Sequence, residues 1–305
     1  MKVSADVDFI MVCFRNDPAD LNRLAGVLLA GAALAGRSAQ VTFVVNDSAP
    51  LAVTDGIRII TGQGNIGFGA GINAGVRTTV APYVVLVNPD CEPDETAIAE
   101  FLSYLVPGCG LLTPLIVDEN GVADYQIYEQ WTFTPTRRVS AEVCARHLRS
   151  FGPEKTGVAS DLPRFSKLPG TFVGAEATVA RELDAPFSED FFLYGEDRDL
   201  TIRARRAGIP VRLVRDVRIH HIGGVSGGKS EAISKCKADS LIRIAHRRYG
   251  RVGVYAAIAD MWCVAKLGRG QISREAAVWA SRRWRHGTAP GLDAAAVGLG
   301  HRMAS

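Results

Sequence analysis

An α/β fold with a mostly parallel sheet is predicted by three features of this 305-residue chain. Continuous apolar runs of strand length recur, VDFIMVCF at 7–14, QVTFVV at 40–45 and YVVLV at 83–87, as expected of strands buried on both faces. Segments of helical periodicity separate them. Each run also stops abruptly at a polar cluster, the place where open α/β sheets bind ligands.

The elements follow in order. After the first strand, Pro18 opens a helix that places Leu21, Leu24, Val27 and Leu28 at helical spacing. The strand QVTFVV ends in Asn46-Asp47-Ser48, and a short strand GIRII, a glycine loop and a helix over 68–79 come next. YVVLV ends in NPDCEPD. Beyond about residue 107 the pattern loosens: WTFTPTRRVS (131–140) and FGPEKTGVASDLPRFSKLPG (151–170) read as loops. Order returns with GTFVGAEATVAREL, FSEDFFLYGEDRDLTIRARRAG, a strand IPVRLV, and VRIHHIGGVSGG. From 230 to about 285 the chain reads as basic amphipathic helices, with a frayed, Ala- and Gly-rich end.

Composition narrows the class. At 47% hydrophobic and 22% charged residues the chain is expected to be globular. Its start lacks the apolar h-region of a secretion signal. No apolar run reaches the ~18–20 residues that span a bilayer, and VGVYAAIADMWCVAKLG is interrupted by Asp260. Six scattered cysteines without a C-x-x-C pair suit a reducing cytoplasm and argue against a zinc ribbon. Charge is unevenly distributed. Of 35 Lys and Arg and 32 Asp and Glu, 14 and five respectively fall from Lys229 onward, so a basic tail follows an acidic body. Such a tail suits an anionic surface or ligand, or a solvated helical face.

The loop GQGNIGFGAGINAG (62–75) fits G-x-G-x-x-G, GAGINA fits its looser form, and Asp90 follows about 20 residues later. The dinucleotide fingerprint belongs at the first strand–helix turn, however, and here that turn, FRNDPAD, has no glycine. What survives is that Gly67, Gly69 and Gly71 permit close backbone approach near a helix N-terminus that favours an anion.

Two other segments carry chemistry. Glu196, Asp197 and Asp199 crowd the start of a helix that Gly208 can end, beside Phe191, Phe192 and Tyr194. Capping and the helix dipole explain one or two of these acids; carboxylates against an apolar rim are also candidate general bases. In VRIHH, period two puts Val217, Ile219 and His221 on one face and His220 on the other. His221 is therefore either a core histidine or, with an Asp from another strand end, a ligand for a hard divalent ion holding a diphosphate.

In this order, VVNDS, GNIGFGAGINAGV, VLVNPD, GTFVGAE, FSEDFFLYGEDRDLTIRARRAG and IHHIGGVS resemble the inverting family-two glycosyltransferases of the GT-A fold, in their rhamnosyltransferase-like branch. The match covers about 7–228. It implies a GT-A domain over 1–228, divided at about 106 into a nucleotide-sugar half and an acceptor half, then a basic helical extension over 229–305. Phe14 and Asp47 would hold the pyrimidine and ribose of a dTDP- or UDP-sugar, and Asn65, Gly67, Asn73 and Asn88 would line the donor pocket. Asp90 and His221 would bind a divalent metal, Mg2+ or Mn2+. Asp197 would be the general base, with Gly174 and Glu196 on the acceptor side. Asn88 stands where many relatives have an acid, leaving one fewer carboxylate; Glu92 and Asp94 are either stand-in ligands or, the preferred reading, solvated surface acids. VVNDSAP lacks the glycine usual after this Asp, which leaves thymidine and uridine both open.

The resemblance implies an inverting hexosyltransferase that moves a sugar, rhamnose in this branch, to a glycan or polyprenyl-diphosphate-linked acceptor in cell-wall or polysaccharide synthesis. No nucleic-acid partner is expected. A cytoplasmic protein peripheral on the inner face of the plasma membrane would use Arg247, Arg248, Arg251, Arg282, Arg283 and Arg285 beside Trp262, Trp279 and Trp284 at an anionic membrane surface. A homo-oligomer interface and a helical cover over the sheet are the other readings of that tail. The competing functions are a sugar-nucleotide pyrophosphorylase, for which FRNDPAD lacks the G-x-G-T-R-like loop, and a catalytically silent nucleotide-binding scaffold.

Overall fold

In the computed structural model the described residues are 5–47, 54, 56–118, 120–121, 133, 159–163, 166–222, 230–266 and 272–299. Ser48, Cys144, the glycines after His221 and most of the two expected loops at 131–140 and 151–170 lie outside them.

The described residues form a nine-stranded mixed sheet in the order β3-β2-β1-β4-β8-β6-β9-β5, with β7 on β9. The first half is parallel: β1 (Val7–Cys13), β2 (Ala39–Val45), β3 (Arg58–Ile60) and β4 (Tyr83–Val87). All seven residues of β1 are buried, which is why its sequence does not alternate. The second half brings in antiparallel partners. β8 (Phe172–Glu176) runs against both β4 and β6 (Leu111–Val117), and β9 (Val211–His221) lies parallel to β6. IPVRLV and VRIHH thus form one strand, whose register on β6 jumps from Val214 to Arg218. Two short pieces, β5 (Cys91–Glu92) and β7 (Ser160–Asp161), pair antiparallel with β9.

Helices cover both faces. α1 (Pro18–Leu34) and α3 (Glu95–Ser103) pack over Phe9, Met11, Val85 and Phe172. Side-chain caps from Asp17 and Asp94 start these two helices. Asp94 is therefore a cap, accepting from Ala97 N–H at 2.7 Å. On the other face lie α2 (Phe68–Thr78), α4 (Ala177–Glu182) and α5 (Glu196–Arg206), over Ile10, Val12, Leu86 and Val173.

The C-terminal helices are α6 (Glu231–Lys266), broken at Gly250, α7 (Arg274–Arg283) and the short α8 (Ala294–Val297). Ile242, Val254, Met261, Ala276 and Ala280 close round Trp284, which is 1% exposed. Arg247 turns inward to Asp199, Asp190 and Ser188, and Arg283 to Asp239. This corrects part of the expected membrane face: Arg247, Arg283 and Trp284 hold the extension to itself and to the sheet domain. No helix among the described residues is long and apolar enough to cross a membrane.

Candidate active site

Three parallel strands deliver polar residues to one edge of the sheet. Beyond β1, Phe14 N–H donates to Asn16 Oδ1 at 2.9 Å, and the Arg15 N–H donates to Asp47 Oδ2, tying the ends of β1 and β2 together. Arg15 holds this contact with a left-handed φ of 60°, a conformation that costs energy away from glycine. Asn65 Oδ1 accepts from the Gly67 N–H at 3.3 Å, and the Gly67 carbonyl accepts from Asn46 Nδ2 at the end of β2.

The glycine loop serves packing. A Cβ on Gly67 would stand 2.3 Å from the Phe192 carbonyl, and the Phe68 N–H already donates to that carbonyl. Gly71 and Gly75 would meet Val12 and Ile10 side chains at 2.7 and 2.4 Å, so they let α2 lie directly on β1. Of the glycines that imitate a dinucleotide fingerprint, Gly62 and Gly64 take left-handed φ of 94° and 67° in the turn, and Gly67 and Gly71 make the close approach.

Three further expectations change for the same reason. Gly67 is buried beneath Phe192. Asn73 is 0% exposed and both ends of its amide are engaged: Nδ2 donates to Phe187 O at 2.7 Å, and Oδ1 accepts from Phe187 N–H at 3.0 Å. Gly174 lies beneath Phe101 and Leu105, where a Cβ would come within 2.8–2.9 Å. Gly67 and Asn73 secure α2, and Gly174 admits the side chains of Phe101 and Leu105 at the end of α3.

Beyond β4, the Asn88 N–H donates to Thr171 O at 2.8 Å, turning the chain so that Cys91 pairs with His221. That pairing brings Asp90 beside His221. Asp90 Oδ1 and His221 Nε2 stand 3.1 Å apart. Both atoms are buried, and neither has a hydrogen-bond partner. Period two along β9 holds, with Val217 and Ile219 buried and Arg218 exposed. A carboxylate oxygen and an imidazole nitrogen, desolvated and aimed at one point, suit a divalent cation better than a structural hydrogen bond. Among the described residues no group of three or more His, Cys, Asp or Glu could hold a metal. An ion here would need further oxygen donors from a ligand or water.

The second half of the site lies one residue away along the chain. Gly170, next to Thr171, lies against Asp197, whose Cβ would stand 3.3 Å from a Cβ added at Gly170. α5 begins with Glu196 and Asp197 after Tyr194 and Gly195, both left-handed with φ of 67° and 90°. Ser240 of α6 donates to the Tyr194 carbonyl and braces this turn. Burial raises the Tyr194 phenol, and the nearby Glu196 and Asp90 carboxylates raise it further, so the tyrosine stands between the two halves.

The acids on α5 have separate fates. Asp199 is structural, bound by Arg203 and Arg247. Burial pushes Glu196 up to about 8, the adjacent Asp197 charge adds to this, and its Oε2 is buried without a hydrogen-bond partner. Asp197 goes the other way. Burial raises it, but the Lys167 ammonium, ion-paired to Oδ2, outweighs burial, and Arg198 assists, so it is held below the ordinary carboxylate range. Two neighbouring carboxyls are thereby split, one neutral and one charged, the pattern of an acid–base pair. Lys167 fell in a segment read only as a loop and carries no sequence signal of its own.

The split has a consequence for stability. In the fold Glu196 keeps a proton that it would release near 4.5 when unfolded. Its contribution is complete below that value and is lost as pH rises through about 8. Glu196→Gln is expected to melt above wild type at pH 9, by up to about 4 kcal/mol in unfolding free energy, and to lose that advantage below pH 5. Calorimetric melts across pH check this; a constant difference would mean that Glu196 does not titrate in the fold.

No protein-family model and no curated protein matches the chain. Solved structures do. GalNAc-T7 with UDP, GalNAc and Mn2+ aligns at 13% identity and TM-score 0.54, over 94% of this chain and 57% of that one. The mannosyltransferase PcManGT from Pyrobaculum calidifontis, in complex with GDP-Man and Mn2+, aligns at 13% and 0.51, over 92% and 80%. S. aureus TarS 1–349, solved also with UDP, aligns at 11% and 0.50, over 79% and 65%. The chain thus spans less than two thirds of GalNAc-T7 and of TarS. At these identities the likeness is one of fold: the protein has the GT-A fold of nucleotide-sugar-dependent glycosyltransferases.

Proposed function

We propose that this protein is an inverting, metal-assisted glycosyltransferase that takes its sugar from a pyrimidine nucleotide donor. The observation that carries the reading is the pair of buried, unbonded atoms Asp90 Oδ1 and His221 Nε2, 3.1 Å apart at the mouth of a GT-A sheet. Phe14 and Asp47 would receive the base and ribose at the ends of β1 and β2, with Asn65 and Asn88 nearby. A divalent cation, Mg2+ or Mn2+, held by Asp90 and His221 would offset the charge on the departing diphosphate.

Asp197 accepts the proton of the acceptor hydroxyl as that oxygen attacks the anomeric carbon from the face opposite the diphosphate. The new C–O bond forms, the C–O bond to the diphosphate breaks, and one displacement inverts the centre without an enzyme nucleophile. Glu196, neutral beside it, would donate a hydrogen bond on the acceptor side. We assign rhamnose as the sugar and a polyprenyl-diphosphate-linked glycan as the acceptor on the strength of the sequence resemblance. An anionic membrane surface is the partner proposed for the outer face of α6, where Tyr249, Val252 and Tyr255 are exposed near Arg251 and Arg285.

Calorimetric titration with dTDP, UDP, GDP and NAD, each with and without manganese, tests the reading. Manganese is expected to tighten dTDP or UDP binding. His221→Ala should lose at least about tenfold of that affinity, since even outer-shell partners of a metal are worth about 10–100-fold. Unchanged manganese dependence in that variant would return His221 to a structural role. Binding of NAD alone would overturn the glycosyltransferase reading.

A further inference from the structure

We propose that Lys167 is a positioning residue for sugar transfer: clamped on Asp197 within the site, its ammonium holds that carboxylate oriented as the base beside Glu196, and so sets the acid limit of catalysis. The inference rests on the reading of Asp197 as the base and adds to it the device that makes Asp197, not its neighbour, available.

The geometry carries the argument. The Lys167 and Asp197 side chains are only 9% and 13% exposed, and the ammonium sits on Oδ2 while Oδ1 accepts from the Arg198 N–H at 2.6 Å. Both partners are held by one helix. Thr201 Oγ1 donates to the Asp197 carbonyl at 2.8 Å and accepts from the Leu168 N–H at 2.9 Å. One turn further on, Arg205 donates to the Ser166 carbonyl at 3.1 Å. The backbone on either side of Lys167 is thus tied to the helix that bears the carboxylate, so the pair is assembled before any ligand arrives.

Among the described residues the charged groups around Asp197 are few. Lys167 comes from the 166–170 segment, and Glu196, Arg198 and Asp199 come from α5. α2 presents Phe68 and Gly69, and α6 adds Lys237, 4.9 Å over the Tyr194 ring. Lys167 is the cation whose removal changes this balance most. When Asp197 takes the acceptor proton, the ammonium loses its counter-charge, which favours release of that proton and return of the base to its working form.

Lys167→Met and Lys167→Arg test the proposal by two independent readouts. The first is a carbon-13 titration of Asp carboxyls, with the Asp197 signal assigned by its absence in Asp197→Asn. The second is the pH profile of kcat. In Lys167→Met the Asp197 titration and the acid limb of kcat should move together to higher pH by about one unit, the effect of losing one adjacent cation. Lys167→Arg should leave both in place, and nucleotide affinity should stay within about twofold in each variant. An Asp197 signal unmoved in Lys167→Met, or an acid limb that stays while the signal moves, would overturn the proposal. Should Lys167→Met fail to fold, wild type decides: Asp197 titrating at or above an ordinary aspartate would overturn it. The carboxyl titration does not depend on turnover, so an absence of nucleotide binding would sink the glycosyltransferase reading alone.

Discussion

Asp197→Asn is expected to lower sugar transfer by about 10²–10⁴-fold, the range for loss of a general base, while nucleoside diphosphate affinity stays within about twofold. The substitution keeps the shape of the side chain and an oxygen for the Arg198 N–H, but it removes the site that accepts the proton. The nucleotide would lie at the ends of β1 and β2 against Phe14 and Asp47, whereas Asp197 opens α5 beside Gly170. Single-turnover transfer at saturating donor, paired with calorimetry, separates the two effects. A melt run in parallel reports the cost of leaving the buried Lys167 without its counter-ion. Transfer at the wild-type rate would remove Asp197 from the role. The alternative base, Glu196, makes a different prediction. With its carboxyl pushed up to about 8, a mechanism that used it would gain rate as pH rises through that value, whereas one that uses Asp197 is already at its plateau near neutrality.

Much of this arrangement is legible in the chain. The buried strands at 7–13, 39–45 and 83–87, the start of α5 at Glu196 and the inward turn of His221 follow from run length, the acids that crowd a first helical turn, and period two. Those signals are local, and each rests on residues within one element. What the sequence hides is set by contacts between elements far apart in the chain. Asn73 looks like a ligand residue at the mouth of a glycine loop, yet its amide bonds Phe187, 114 positions on. Gly174 looks like part of an acceptor motif, yet its missing Cβ admits Phe101. Lys167 meets Asp197 across 30 residues, in a stretch without periodicity. The basic tail misleads for a related reason. Counting charge treats every arginine as solvated, but Arg243, Arg247 and Arg283 close on Asp239, Asp199 and Asp190.

Asp239→Ala is expected to destabilise the protein by about 3–5 kcal/mol, the usual cost of stranding a buried charge. Asp239 is 0% exposed. Its Oδ2 takes the Arg243 guanidinium at 2.9 Å, and its Oδ1 takes Arg283 Nε at 3.0 Å and Trp284 Nε1 at 2.8 Å. Alanine would leave two guanidiniums and an indole N–H facing an empty space in the middle of the C-terminal helices. Asp293→Ala is the fitting control. It also removes a carboxylate from this extension, but Asp293 is exposed and only caps the four-residue α8, so it should cost about 1 kcal/mol. Urea denaturation of both variants gives the comparison, and equal midpoints would mean that the Asp239 cluster adds nothing net. The effect should also reach the chemistry. Ser240, the next residue along α6, holds the Tyr194 carbonyl, and Arg247 one helical stretch further holds Asp199. These two contacts brace the left-handed turn and the helix that present Glu196 and Asp197. Loosening α6 through Asp239 should therefore lower kcat more than nucleotide affinity, because the donor-side strands make none of these contacts.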